Sequence, residues 1–308
     1  MKQSFTAPSF EWRWVHPRYW LAWLGIALLL PLAYLPWQAR WSLGKQLGRI
    51  LYRYQAKRRA IVETNLKHCY PRLSEAERAA WTLKHLQHYA AALLDYSVLF
   101  FRSRVTLAKR IRLHLPETFK QAVAENQPII LLLGHSTWLE FAPLAIGLHY
   151  AAYGSYKPFS QPIFDWLIAR SRLKDVEFVI PREAGLLKLV RSLKPGLILI
   201  FLPDEDLGLK ASVIVPFMGQ DKATLTTPAR IAELGKATAF VSLAFFDETT
   251  GQYHINISEA LAPYPLGGEA ADATLMNQAL EQLIALHPEQ YLWLMKLFKT
   301  QSDGSNIY

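Results

Sequence analysis

Five apolar residues in a row, Ile129 to Leu133, stand between Pro128 and Gly134 and constrain this chain more than any other stretch. A run of strand length with no polar side chain has no solvent face, so it belongs in a sheet covered on both sides. The sequence supplies the cover. From Pro116 onward, apolar runs at 129–133, 177–180, 197–202, 213–215, 239–246 and 253–257 alternate with helical patterns near 116–125, 138–152, 161–173, 184–194, 226–235 and 272–286. This alternation predicts an α/β fold with a mixed, mostly parallel central sheet flanked by helices. Turn residues between Thr249 and Gln252 predict that the last two strands form a hairpin.

The first third reads differently. Residues 19–39 carry no charge, between Arg18 and Arg40. As one helix they would reach about 31 Å, enough for a bilayer core. Trp12, Trp14, Trp20, Trp37 and Trp41 sit at its ends like an interfacial belt. An N-terminal membrane helix is the expectation, with Pro31 and Pro36 leaving both a span and a monotopic insertion open. Arg40 to Arg59 follows as a basic amphipathic helix, its Leu43, Leu47, Ile50, Leu51 and Tyr54 on one side and Lys45, Arg49, Arg53 and Lys57 on others. Such a helix suits the headgroup level of a membrane or the flank of the next domain. Ser74-x-x-Glu77 then announces a long helix to about Phe101. These features divide the chain into an anchor and basic helix at 1–59, a helical entry at 60–112, an α/β core at 113–300 and a mobile tail at 301–308.

Charge follows the same division. Of 34 Lys and Arg, 19 lie in residues 1–112 against 5 Asp and Glu, whereas the remainder is net acidic. No nucleic-acid motif accompanies the basic third, so an anionic membrane surface is the expected partner and nucleic acid is not. Arg40, Lys45, Arg49, Arg53, Lys57, Arg58 and Arg59 outnumber the cations before the greasy segment, which places the rest of the chain on the cytoplasmic face. The single cysteine, Cys69, can form no internal disulfide.

In α/β folds ligands bind beyond the carboxyl ends of the strands. That rule nominates His135 and Glu140 after the first apolar run, Arg182 after Ile180, Asp204 and Asp206 after Leu202, and Phe217 to Lys222 after Val215. His135 and Glu140 cannot meet on one helix, since five residues turn roughly 500° and leave them about 140° apart. If Ser136 or Thr137 caps a helix running to about Tyr150, Glu140 falls in the first turn and can fold back beneath the imidazole, as a general base requires. Thr137-x-x-Glu140 fits a plain capping box equally well. With one histidine on the rim and no zinc spacing, a metal site is not expected. No G-x-S-x-G, P-loop or G-x-G-x-x-G supports a serine hydrolase, an NTPase or a dinucleotide enzyme.

Taken together, the motifs resemble the late acyltransferases of lipid A biosynthesis, within the H-x4-D/E glycerolipid acyltransferase fold. The resemblance is carried by Asn65-Leu66-x-x-Cys69-Tyr70-Pro71, Gly134-His135-x4-Glu140, Tyr156-x-Pro158, Asp165-Trp166-Leu167 with Arg172, Arg182, Pro203-Asp204-x-Asp206-x-Gly208, Val215-Pro216-Phe217, and Pro288-Glu289-Gln290-Tyr291-x-Trp293-Leu294. It implies acyl transfer from acyl carrier protein to a hydroxyl of a Kdo-lipid A precursor at the bacterial inner membrane, with no cofactor beyond the acyl thioester itself. It further implies His135 as general base with Glu140 as its partner, and Arg172, Arg182, Asp204 and Asp206 at the site, Arg172 or the backbone N–H groups after Gly134 serving the oxyanion. Other lipid acceptors, such as a lysophospholipid or an ornithine lipid, and a catalytically silent scaffold of the same fold are the alternatives.

Overall fold

The computed structural model describes residues 9–157, 159–181, 185–305 and 307–308. The strands are β1 (Ile111–His114), β2 (Ile129–Leu133), β3 (Ala152–Tyr156), β4 (Phe178–Pro181), β5 (Ile198–Phe201), β6 (Ser212–Phe217), β7 (Gln220–Leu225), β8 (Thr238–Asp247) and β9 (Gln252–Ile257). Seven form one sheet in the order β1-β9-β8-β2-β5-β3-β4, and β6 and β7 form a separate antiparallel hairpin. β8, β2, β5, β3 and β4 run parallel, while β9 turns back along β8 and β1 follows β9. The mixed, mostly parallel sheet and the β8–β9 hairpin are as the sequence predicts. β2 is fully buried and central, between β8 and β5, as its five apolar residues require.

Helices cover both faces. Those used below are α1 (Trp20–Leu32), α2 (Trp37–Tyr54), α3 (Ala56–Cys69), α4 (Glu75–Phe101), α5 (Arg104–Ala108), α6 (Glu117–Ala124), α7 (Phe141–Gly147), α8 (Pro162–Arg172), α9 (Leu186–Ser192), α10 (Thr227–Gly235) and α11 (Glu269–Ile284). On one face Trp138, Phe141, Phe246 and Tyr253 pack with Ile129, Leu131 and Leu133, and on the other Ile130 and Leu132 pack with Leu280, Ile284 and Trp293. The period-two alternation along β2 thus feeds two cores at once.

The N-terminal third is helical but does not form a membrane helix of the expected kind. α1 has 13 residues, about 20 Å at 1.5 Å per residue, and no helix among the described residues is long and apolar enough to cross a membrane. The cause is visible in the sequence: Pro31 lies in the last turn of α1, and Pro36 caps the start of α2. α2 then packs along α4 so closely that a Cβ on Gly44 or Gly48 would stand 2.5 Å from the Cα of Ala91 or Gln87. A buried ion pair fastens it: Arg40 Nε bonds Asp95 of α4, its Nη1 donates to Leu35 O at 2.7 Å, and Tyr253 Oη donates to the other Asp95 oxygen at 2.5 Å. Arg40, counted from the sequence among the cations that follow the greasy segment, is 4% exposed and belongs to the core. α4 opens on the expected capping box, Ser74 and Glu77 each bonding the other's backbone N–H.

The end of the chain is anchored rather than loose. Tyr308 Oη bonds the Asn65 side chain and accepts from Phe298 N at 3.1 Å, and Ile307 and Tyr308 pack on the second core.

Candidate active site

The adjacency of β2 and β5 builds the site. His135 follows β2 by two residues and Asp204 follows β5 by three, and their pairing register sets the two strand ends side by side. Asp204 takes both N–H groups of His135: the backbone N–H donates to Oδ2 at 2.7 Å and Nδ1 lies 2.6 Å from Oδ1. Tyr291 Oη donates to Oδ2 at 2.9 Å. An aspartate on Nδ1 fixes the tautomer with the lone pair on Nε2. Nε2 has the Glu205 carboxylate at 3.9 Å, and Glu205 is 44% exposed, so this ring edge faces the rim.

The charges are tuned to one another. Burial pulls the His135 pKa down, but the charge and hydrogen bond of Asp204 outweigh it, with Glu205 and then Glu140 adding, so the imidazole is a stronger base than an ordinary histidine. Burial pushes Asp204 up, yet His135 and the Lys222 ammonium hold it below the usual carboxylate range. Lys222 on β7 is wholly buried. Desolvation lowers its pKa against the pull of Asp204 and Asp206, and its one hydrogen bond among the described residues is to Ala223 O at 3.4 Å.

A corner this tight is braced from the C-terminal segment. Ser136 lies opposite Tyr291 in a β-bridge made by two bonds of 2.9 Å, Thr137 N donating to Gln290 O and Leu292 N to His135 O. The Gln290 side chain in turn bonds the backbone N and O of Phe246 on β8. Asn65 donates to the carbonyls of Trp293 and Met295 at 2.7 Å each, holding the same segment from α3.

Glu140 is not the partner of His135. It stands at the N-cap of α7 and makes no capping bond there; its carboxylate is taken by Arg172, Nε at 3.0 Å and Nη2 to the other oxygen. The residues between His135 and Glu140 form a turn rather than the expected helix start, which carries Glu140 past the imidazole, and the capping box with Thr137 does not form either. Arg172 ends α8. Burial works against its charge, and Glu140 more than restores it, so it stays protonated. Both of its bonds to Glu140 leave Nη1 as the group without a hydrogen bond among the described residues. The backbone N–H groups of Gly134, His135 and Thr137 are already used by Ser242 O, Asp204 and Gln290 O, which leaves the Ser136 N–H as the backbone donor after Gly134 without a hydrogen bond among the described residues.

The other nominated residues divide. Asp204 is at the centre of the site. Asp206 instead pins the C-terminal segment, accepting from Thr300 N and Oγ1 at 2.7 Å each and from Gly208 N at 3.0 Å. Arg182 lies outside the described residues. Lys222 and Tyr291 were missed as site residues: the first stood only at the end of a nominated stretch, the second only inside a motif.

Comparison with known proteins agrees with the motif reading. The family model for bacterial lipid A biosynthesis acyltransferases matches residues 7–300. The lipid A biosynthesis lauroyltransferase of Escherichia coli (strain K12) is 30% identical over 298 residues, 96% of this chain and 97% of the relative. A lipid A biosynthesis acyltransferase of Haemophilus influenzae is 31% identical over 97% of this chain and 94% of the relative, and the E. coli myristoyltransferase is 28% identical over 96% and 92%. With the family model covering residues 7–300 and a relative of 30% identity matched over nearly the whole of both chains, this chain belongs to the bacterial lipid A biosynthesis acyltransferase family and is an acyltransferase.

Proposed function

We propose that this enzyme transfers a fatty acyl group from the thioester of acyl carrier protein to the hydroxyl of a 3-hydroxyacyl chain on a Kdo-lipid A precursor, at the cytoplasmic face of the bacterial inner membrane. The observation that carries the proposal is the Nδ1 contact of His135 with Asp204, 2.6 Å long, in a member of a lipid A acyltransferase family. His135 Nε2 takes the proton of the acceptor hydroxyl as its oxygen bonds to the thioester carbon. The tetrahedral intermediate places negative charge on the former carbonyl oxygen, and Arg172 Nη1 is the donor nearest in character to that need. The carbon–sulfur bond then breaks, and the imidazolium returns the proton to the departing thiolate. Asp204 carries no proton through this cycle; it steadies the imidazolium. Glu140 acts on Arg172, not on His135, by fixing the guanidinium plane. No cofactor enters these steps.

The test is direct. Purified enzyme with acyl carrier protein thioester and a Kdo-lipid A precursor is expected to yield a product heavier by one acyl group by mass spectrometry. The His135→Asn variant, which keeps an N–H toward Asp204 but has no base at Nε2, is expected to yield almost none. Product from neither protein would sink the proposal, as would equal product from both.

A further inference from the structure

Large apolar side chains left in water need a reason, and around the mouth of this site they recur on successive strand-end loops. Phe159 follows β3, Leu187 opens α9 after β4, and Leu207 and Leu209 follow β5; they are 45%, 60%, 40% and 57% exposed. β5, β3 and β4 stand in that order beside β2, whose end leads into His135, so the four side chains form an arc that begins at Asp204 and moves outward along the rim. Lys157 and Lys210 are exposed in the same loops and Lys188 is half-buried beside Leu187. Apolar side chains interleaved with lysines match a bilayer interface, where the apolar groups leave water and the ammonium groups meet anionic headgroups.

The N-terminal segment supplies an independent observation. Trp12, Trp20, Leu21, Leu24 and Leu28 are exposed, at 83%, 63%, 81%, 56% and 61%. On the opposite side of α1, Ile26 and the preceding Trp14 pack on Ile163 of α8, and Trp23, Trp166 and Leu167 close around them. Phe10 adds ring contacts to Trp14, Trp23 and Trp166. α8 begins three residues after Phe159, so α1 is seated on the half of α8 that starts at the rim. The exposed apolar face of the N-terminal segment and the apolar arc therefore lie at one end of the molecule, the end that carries His135.

We propose that Phe159, Leu187, Leu207 and Leu209 form a second lipid-contact surface, which enters the bilayer interface beside α1 and sets the mouth of the active site directly against the membrane. It rests on the lipid acceptor of the reading above. An acceptor chain then reaches His135 from the bilayer without crossing water.

The chain is suited to site-directed labelling, because its single cysteine, Cys69, is buried. The full-length protein is labelled with the environment-sensitive dye NBD at Leu209→Cys and Leu187→Cys. The anchor reference is Leu24→Cys, and the control is Leu234→Cys, an exposed leucine in the last turn of α10, which ends close to the start of β8 and so beside the start of β2, at the opposite end of the strands from His135. With vesicles of phosphatidylethanolamine and phosphatidylglycerol, emission at 209, 187 and 24 is expected to rise several-fold and shift to the blue, and emission at 234 to stay unchanged. Unchanged emission at 209 and 187 overturns the proposal, whatever position 24 reports. A Leu187→Glu, Leu209→Glu double variant is expected to lose about tenfold or more in turnover of vesicle-embedded acceptor while keeping turnover of the same acceptor dispersed in detergent micelles; equal turnover on vesicles also overturns it. If wild-type enzyme forms no product in either setting, the functional reading fails, and the dye response still decides the surface.

Discussion

Two buried aspartates in this molecule are held in nearly the same way and do opposite things. Asp204 accepts from a tyrosine hydroxyl, Tyr291, and pairs with His135; Asp95 accepts from a tyrosine hydroxyl, Tyr253, and pairs with Arg40. The difference lies in the cationic partner. A guanidinium never gives up its proton, and Arg40 spends Nη1 on Leu35 O, so the Asp95 pair is a closed clamp between α2, α4 and β9. An imidazole gives up its proton near neutral pH and keeps a second nitrogen facing the rim, so the Asp204 pair is open on one side. One geometry makes a rivet with arginine and, with histidine, leaves a ring nitrogen facing the rim, where the proposed mechanism uses it as the base.

That contrast can be broken at either end. The largest effect is expected from His135→Asn, which should lower kcat about 10²- to 10⁴-fold, the range for losing a general base. Its thermal midpoint should stay close to wild type because an amide N–H still meets Asp204. Asp95→Ala should do the reverse. It strands a buried guanidinium, so urea denaturation should show a loss of about 3–5 kcal/mol, with kcat per folded molecule unchanged. A kcat loss in Asp95→Ala as deep as in His135→Asn would erase the distinction. Tyr291→Phe and Tyr253→Phe each remove one hydrogen bond to a buried carboxylate and should each cost about 1.5–3 kcal/mol in stability, but only Tyr291→Phe should also slow turnover. The smallest effect serves as a baseline: Ser74→Ala removes the α4 cap, far from both pairs, and should cost about 1 kcal/mol by denaturation with no kinetic change.

Much of the fold was legible because burial leaves a pattern. The five apolar residues of β2 marked a central strand, and the long apolar run of β8 and the alternating β9 on either side of a polar turn marked a hairpin. β1, β3 and β7 were not read as strands. Ile111–His114 is short and half polar, Ala152–Tyr156 has glycine and serine at its centre, and Gln220–Leu225 begins with three polar residues, of which Lys222 turns inward. The N-terminal segment was expected to be a membrane helix because its composition is uniformly apolar, with Pro31 and Pro36 leaving a span or a monotopic insertion open; these prolines instead divide it into the short α1 and the amphipathic α2. The site was legible in part. His135 and Asp204 were both placed at strand ends, but the partner of His135 was sought five residues away in Glu140. The actual partner is 69 residues away. Sequence patterns reveal that a strand is buried, not which strand lies beside it, and only the β2–β5 pairing brings His135 and Asp204 together.

The central claim is that Asp204, and not Glu140, sets the basicity and tautomer of His135. The pH dependence of kcat/KM tests it most directly. A neutral imidazole is the active form, so activity should fall as pH drops through a His135 pKa raised above the ordinary histidine value. In Asp204→Asn the carboxylate charge is gone, so that inflection should move to lower pH while the plateau falls. In Glu140→Gln the inflection should move down less than in Asp204→Asn, since that carboxylate is bonded to Arg172 and is the smallest of the groups that raise His135. An inflection that moves in Glu140→Gln and stays in Asp204→Asn would contradict the account.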